Sequence, residues 1–307
     1  EFMQEFWDIE EAQSRAIQHL ASSVRDENVV SYLPVFTESI TSAMKNHIDS
    51  LKLQEDGCRS LIEILTKATE RGGCVTLDEN VTNSLLESVR KHSENEEFVS
   101  LVCPVLMMIS ATEVAAENLR EAGLISDLLS MLKSYLHNER ICYTSCAVLW
   151  SLAVSENNVD EALLKSAVPL TTAVIQEHLQ NGAVIETACS ALWVLSLQDC
   201  VAENDYEPIT ALLMDAIRMN LQRPMLVKNS CLALASLIRI SEIAAFRFLI
   251  DPKGSGINLI KDAYRFYRDD PEVVENICML INEMAQYDDV ALDMASQQME
   301  ELLSEIK

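Results

Sequence analysis

Apolar side chains recur along the chain at helical spacing, and the same block of apolar positions returns six times. The blocks centre on Cys58, Cys103, Cys146, Cys189, Cys231 and Cys278, separated by 45, 43, 43, 42 and 47 residues. Five residues before each centre stand Leu53, Phe98, Ile141, Val184, Leu226 and Val273. Three residues after it come Leu61, Leu106, Leu149, Leu192, Leu234 and Ile281, and six after it Ile64, Ile109, Leu152, Leu195, Leu237 and Met284. At about 100° per residue, positions −5, −4, +3, +6 and +7 share one broad stripe of a helix, with the cysteine at its edge. One unit alone cannot cover such a stripe, so each must stack on the next. The spacing predicts an all-α, right-handed helical solenoid of about six to seven units.

Polar or helix-breaking turns come before the recurring blocks: HSENEE before Phe98, HNER before Ile141, QNG before Val184, QRP before Met225 and RDDP before Glu272. These are helix-start signals. Helices are expected near Ile9–Leu20, Val35–Met44 and Asn80–Lys91, and a glycine-punctuated short-then-long pair over Ala116–Leu136. The DPKGSG stretch at 251–256 makes its unit the longest and predicts a surface loop. Glu1-Phe2-Met3 reads as a cloning remnant followed by a start methionine and is set aside. Residues 4–307 are expected to form one uninterrupted array, closed by a capping helix at about 289–306.

A period of about 40–47 residues is that of HEAT or armadillo arrays, and the stretches SCAVLWSLA and ACSALWVLS resemble armadillo repeats, a likeness extending over essentially the whole chain. ASLIRISEIAAFRFLI and GSGINLIKDAYRFYRDDPEVVENICML further resemble the C-terminal repeat region of the serine/threonine kinase-like domain-containing family. In that family a kinase-like domain precedes the helical repeats, which implies that this chain corresponds to the repeat region. Nothing of the kinase-like half carries over. The sequence has no glycine-rich phosphate loop, VAIK-like strand, HRD-like loop or DFG, and the GSG at 254–256 reads as a turn.

Candidate chemistry is sparse. The cysteines could be core packing, a metal site or redox groups. Successive helices sit roughly 8–10 Å apart, beyond the roughly 7 Å that a disulfide allows, which favours packing of reduced thiols. No CxxC occurs, and His19, His47, His92, His137 and His178 show no ligand spacing. No cofactor, metal or catalytic site is therefore assigned, and the chain is read as a non-enzyme. Nine cysteines without a signal peptide suit a reducing, intracellular and cytoplasmic setting. The net charge of −25 disfavours nucleic acid and anionic membranes as partners.

A binding groove remains. The armadillo resemblance implies that the cysteine-bearing helices line a concave face, where positions +1 and +5 point. Importin-like and catenin-like relatives place Asn at +5, and importin-like ones add Trp at +1; this sequence has neither ladder. It offers instead a small, mildly apolar centre with Ser151, Val194, Leu232 and Ser236, bordered by Trp150 and Trp193 at +4. The two indoles either pack between helices or form the wall of a partner site. Three roles are open. The chain could be an interaction and scaffolding region binding a protein partner, a module that packs on its own kinase-like domain, or a homodimerisation module.

Overall fold

The structure is a computed structural model that describes residues 2–23, 32–70, 79–154, 161–297, 299, 302 and 304. Every regular element among them is helical. The chain divides into two compact units, Glu1–Tyr135 and Leu136–Lys307.

The first unit begins with a short helix, α1 (Phe2–Glu5), resting on α2 (Glu10–Ser23). From there α2, α4 (Leu51–Glu70) and α6 (Glu96–Ile109) pack side by side as one row. Behind them runs a second row of α3 (Leu33–Asn46), α5 (Glu79–Lys91), α7 (Glu113–Glu121) and α8 (Leu124–Ser134). The break between α7 and α8 falls at Gly123, whose φ of +86° is open to glycine and strained for other residues.

The second unit repeats this plan. Its front row is α9 (Glu139–Ala153), α11 (Gly182–Leu197), α13 (Pro224–Ile240) and α16 (Pro271–Met284). Its back row is α10 (Glu161–Glu177), α12 (Tyr206–Met219), α14 (Glu242–Leu249), α15 (Gly256–Tyr267) and α17 (Asp288–Ser296). Residues 251–255 form the loop between α14 and α15, where Asp251 is buried and its carboxylate meets both Arg218 (3.4 Å) and Arg247 (3.2 Å). α17 covers the first part of the closing helix expected at about 289–306; most of residues 298–307 lie outside the described residues.

The repeated apolar positions are the core. All members of the −5, +3 and +6 columns are buried, from Leu53 in α4 to Met284 in α16. Cys58, Cys103, Cys146, Cys189 and Cys231 are buried with them as free thiols. Cys278 departs from expectation, being only half-buried. Its helix, α16, is the last front-row helix of the second unit among the described residues, so Cys278 has no next helix beside it as Cys189 has α13, whereas Cys103 of α6 is covered by Met131 of α8. Brief maleimide treatment should therefore modify Cys278 well before Cys146, Cys189 or Cys231, as read by mass spectrometry of the peptides. Equal labelling of all four would contradict this packing.

Two further columns appear once the backbone is in place. Eight residues before each cysteine sits a helix-capping position. Asn95, Asn138, Asn181 and Asp270 accept from the backbone N–H of Phe98 (2.8 Å), Ile141 (3.1 Å), Val184 (3.4 Å) and Val273 (3.3 Å). Ser50 does the same for Leu53 at 3.3 Å. At Arg223 the column lacks a side-chain cap, and Pro224 starts the helix instead.

Eleven residues before each cysteine, a side chain at the end of a back-row helix reaches the preceding turn. His47 Nε2 bonds Trp7 O (2.8 Å), His92 Nε2 bonds Ile48 O (2.6 Å) and Tyr135 Oη bonds Ser93 O (2.7 Å). His178 Nε2 bonds Leu136 O (2.7 Å) and Asn220 Nδ2 bonds Leu179 O (3.2 Å). A carbonyl only accepts, so each histidine carries its proton on Nε2. The ladder stops at Tyr267, whose buried hydroxyl has no hydrogen-bond partner among the described residues.

These bonds tie one repeat to the next at the turn. His92→Ala should lower stability by about 1–3 kcal/mol through the orphaned Ile48 carbonyl and the lost edge contact with Phe98. His92→Asn should recover part of it, because Asn220 performs the same task. Denaturant midpoints for both variants that match the parent would remove the ladder from the account.

Candidate functional site

The front-row helices of the second unit present a common outward face. Taking the cysteine as 0°, positions −6, −3, +1, +4, +5 and +8 lie between about 40° and 140°, opposite the buried stripe. On α9 and its last turn these are Arg140, Tyr143, Ala147, Trp150, Ser151 and Val154, and all six are exposed or half-buried. On α11, Trp193 is half-buried and Leu197 exposed. On α13, Met225 and Arg239 are exposed and Lys228 and Leu232 half-buried. On α16, Glu272, Glu275, Met279 and Asn282 are exposed and Glu283 is half-buried.

The residues singled out in the sequence divide by size. Trp150 is 40% exposed, whereas Val194 and Ser236 are only 4% and 6% exposed. Short side chains at these positions do not reach past their larger neighbours, and the Ser236 hydroxyl turns back to Leu232 O at 2.9 Å. Ser151, Trp193 and Leu232 are half-buried between these extremes. The surface that another molecule would touch is therefore supplied by the larger flanking groups. Tyr143, Val154, Leu197, Met225 and Met279 are exposed apolar side chains on it. Tyr143, Val154, Leu197 and Met225 belong to the −3, +8 and −6 columns, which mix apolar, polar and charged residues, so no repeating letter marks them in the sequence.

Polar ties hold the face in register. Asn229 donates to Ser190 Oγ at 2.6 Å, joining α13 to α11. Arg223 pairs with Glu186 (3.1 Å) across the same seam, and Lys228 with Glu272 (2.6 Å) across the next. Charge is uneven along the row. The α16 end carries Glu275 and Glu283 without an ion-pair partner among the described residues. Burial raises the nearby Tyr287 phenol, and the negative charge of Glu242 and Glu283 adds to the shift.

The thiols beneath this face are chemically quiet. Burial pushes the Cys189 and Cys231 thiols up to about 12, and the Cys146 thiol is raised by the same cause. Protonated and buried, they lack the thiolate that nucleophilic or metal-binding cysteines need. Among the described residues, no three His, Cys, Asp or Glu side chains converge as ligands for a metal ion. No helix there is long and apolar enough to cross a membrane. A separate apolar cavity of about 500 Å³ opens in the first unit, lined by Phe2, Arg15, His19, Leu20, Val35 and Phe36 among others.

No family model matches this sequence. Among solved structures, an engineered protein studied by the Northeast Structural Genomics Consortium is similar over 90% of this chain and 95% of its own, at 12% identity and a TM-score of 0.44. Likeness at that level bears on neither family nor function.

Proposed function

We propose that the chain is an armadillo-type, right-handed solenoid that acts as a protein-interaction region of a kinase-like protein, binding its partner on the front-row face of α9, α11, α13 and α16. The observation that carries this reading is the exposed apolar surface of α9 and α11. Trp150, Tyr143, Val154 and Leu197 stand open on adjacent helices whose opposite side is already committed to the core. Contiguous exposed apolar surface of this kind marks interaction sites, and Trp and Tyr are the side chains that most often dominate them. The helix pairs α7–α8 and α14–α15, each followed by a front-row helix or the unit boundary, supply the short-then-long form of an armadillo unit. The remaining back-row helices are single.

This reading makes the chain a binding module and not a catalyst. Its test is affinity capture with the chain and with its Trp150→Ser variant as paired baits, including the separately expressed kinase-like domain among the candidate prey. A partner retained by the first bait and lost from the second supports the reading. Partners held equally by both baits would place binding elsewhere.

A further inference from the structure

Resting on that docking face, we infer that its occupant is a linear protein segment with aromatic or aliphatic side chains at one end and lysine or arginine at the other, laid across the row from α9 to α16. The face changes character in one direction. At α9 and α11 it is apolar, with Trp150, Tyr143 and Leu197 exposed. At α16 it is acidic. Glu272 is taken up by Lys228 at 2.6 Å, but among the described residues Glu275 and Glu283 have no ion-pair partner, nor does Glu242, a third carboxylate near Tyr287. Among the described residues, the cations without an ion-pair partner on the face are Arg140, at the far α9 end, and Arg239, whose carbonyl accepts from Gln286 just past α16; one cation there against three carboxylates leaves the α16 end a negative excess.

A chain whose own net charge is −25 already repels acidic segments, and the asymmetry of the face adds a direction to that selection. The geometry also sets a length. Four helices roughly 8–10 Å apart place α16 roughly 25–30 Å from α9. An extended segment covers that distance in about eight residues. The apolar anchors would supply most of the affinity and the basic end the orientation and a share of the association rate.

The test is selection of a displayed library of random 14-residue peptides on the full chain, followed by synthesis of the enriched consensus. The expected consensus carries Trp, Phe, Tyr or Leu about eight residues from Lys or Arg. Its affinity should fall about tenfold or more with Trp150→Ser, and about tenfold with Glu275→Lys plus Glu283→Lys, and should weaken as salt is raised. Trp150 and Glu275 are exposed and Glu283 is half-buried, and circular dichroism of each variant is expected to show unchanged helix content. Peptides that depend on Trp150 but ignore the charge reversal, or that are acidic, would overturn the directional segment and leave the docking face standing. Peptides that ignore Trp150→Ser, or no enrichment over the starting library, would overturn both.

Discussion

Cys189→Asp is expected to unfold the front row of the second unit as a whole and not α11 alone. Cys189 is fully buried in α11, which packs between α9 and α13, and burial already drives its thiol to about 12. A carboxylate in its place has no cation within the apolar stripe. Burying an unpaired charge costs several kcal/mol, a large part of the roughly 5–15 kcal/mol that holds a typical domain together. Because stacked repeats draw stability from their shared interfaces, the loss spreads to both neighbours. Leu192→Asp, one turn further along the same buried side, should behave alike. Cys278→Asp should cost far less, since that site is half-open and the new carboxylate can reach water. Hydrogen exchange checks this: protection should fall together in α9, α11 and α13 for the first two variants. Loss confined to α11 with its neighbours still protected would contradict the stacking account.

The second large effect concerns binding. Trp150→Ser combined with Trp193→Leu is expected to weaken the partner complex by about 2–4 kcal/mol, roughly 30- to 1000-fold, with little change in helix content. Trp150 is largely at the surface, and leucine at 193 keeps an apolar side chain where the indole is half-buried. Calorimetry on the double variant measures the effect directly. A charge pair on the same face gives the contrast. Lys228→Ala should change affinity by about 1 kcal/mol or less, because its pairing with the exposed Glu272 is solvent-screened. Substituting Ser236 is a poorer probe, since a large group placed at that buried site disturbs packing before it blocks a partner.

How much of this was legible beforehand follows from which positions repeat by letter and which only by role. Leu53, Phe98, Ile141 and their successors share apolar character at a fixed spacing, so the buried stripe could be read residue by residue, and all of it is buried. The −11 column consists of His47, His92, Tyr135, His178, Asn220 and Tyr267. Its members share an ability to donate a hydrogen bond and little else, and only the backbone reveals what they have in common. The capping column hides in the same way, spread over Ser, Asn, Arg and Asp. At the surface, angle alone sets Val194 and Ser236 at the centre of the groove and Trp150 at its border, whereas reach from the helix makes Trp150 the exposed one. The repeat groups Cys278 with its buried counterparts, since nothing in it marks which helix ends the second unit's row.

The most direct test of the central claim is hydroxyl-radical footprinting of the chain with and without its captured partner. The account expects protection at Tyr143, Trp150, Leu197, Met225 and Met279, five oxidisable side chains exposed on one face of α9, α11, α13 and α16. Protection confined to Phe2, Trp7 and Val35 of the first unit, or to Ile243, Ile250 and Leu292 of the back row, with these five unchanged, would contradict it.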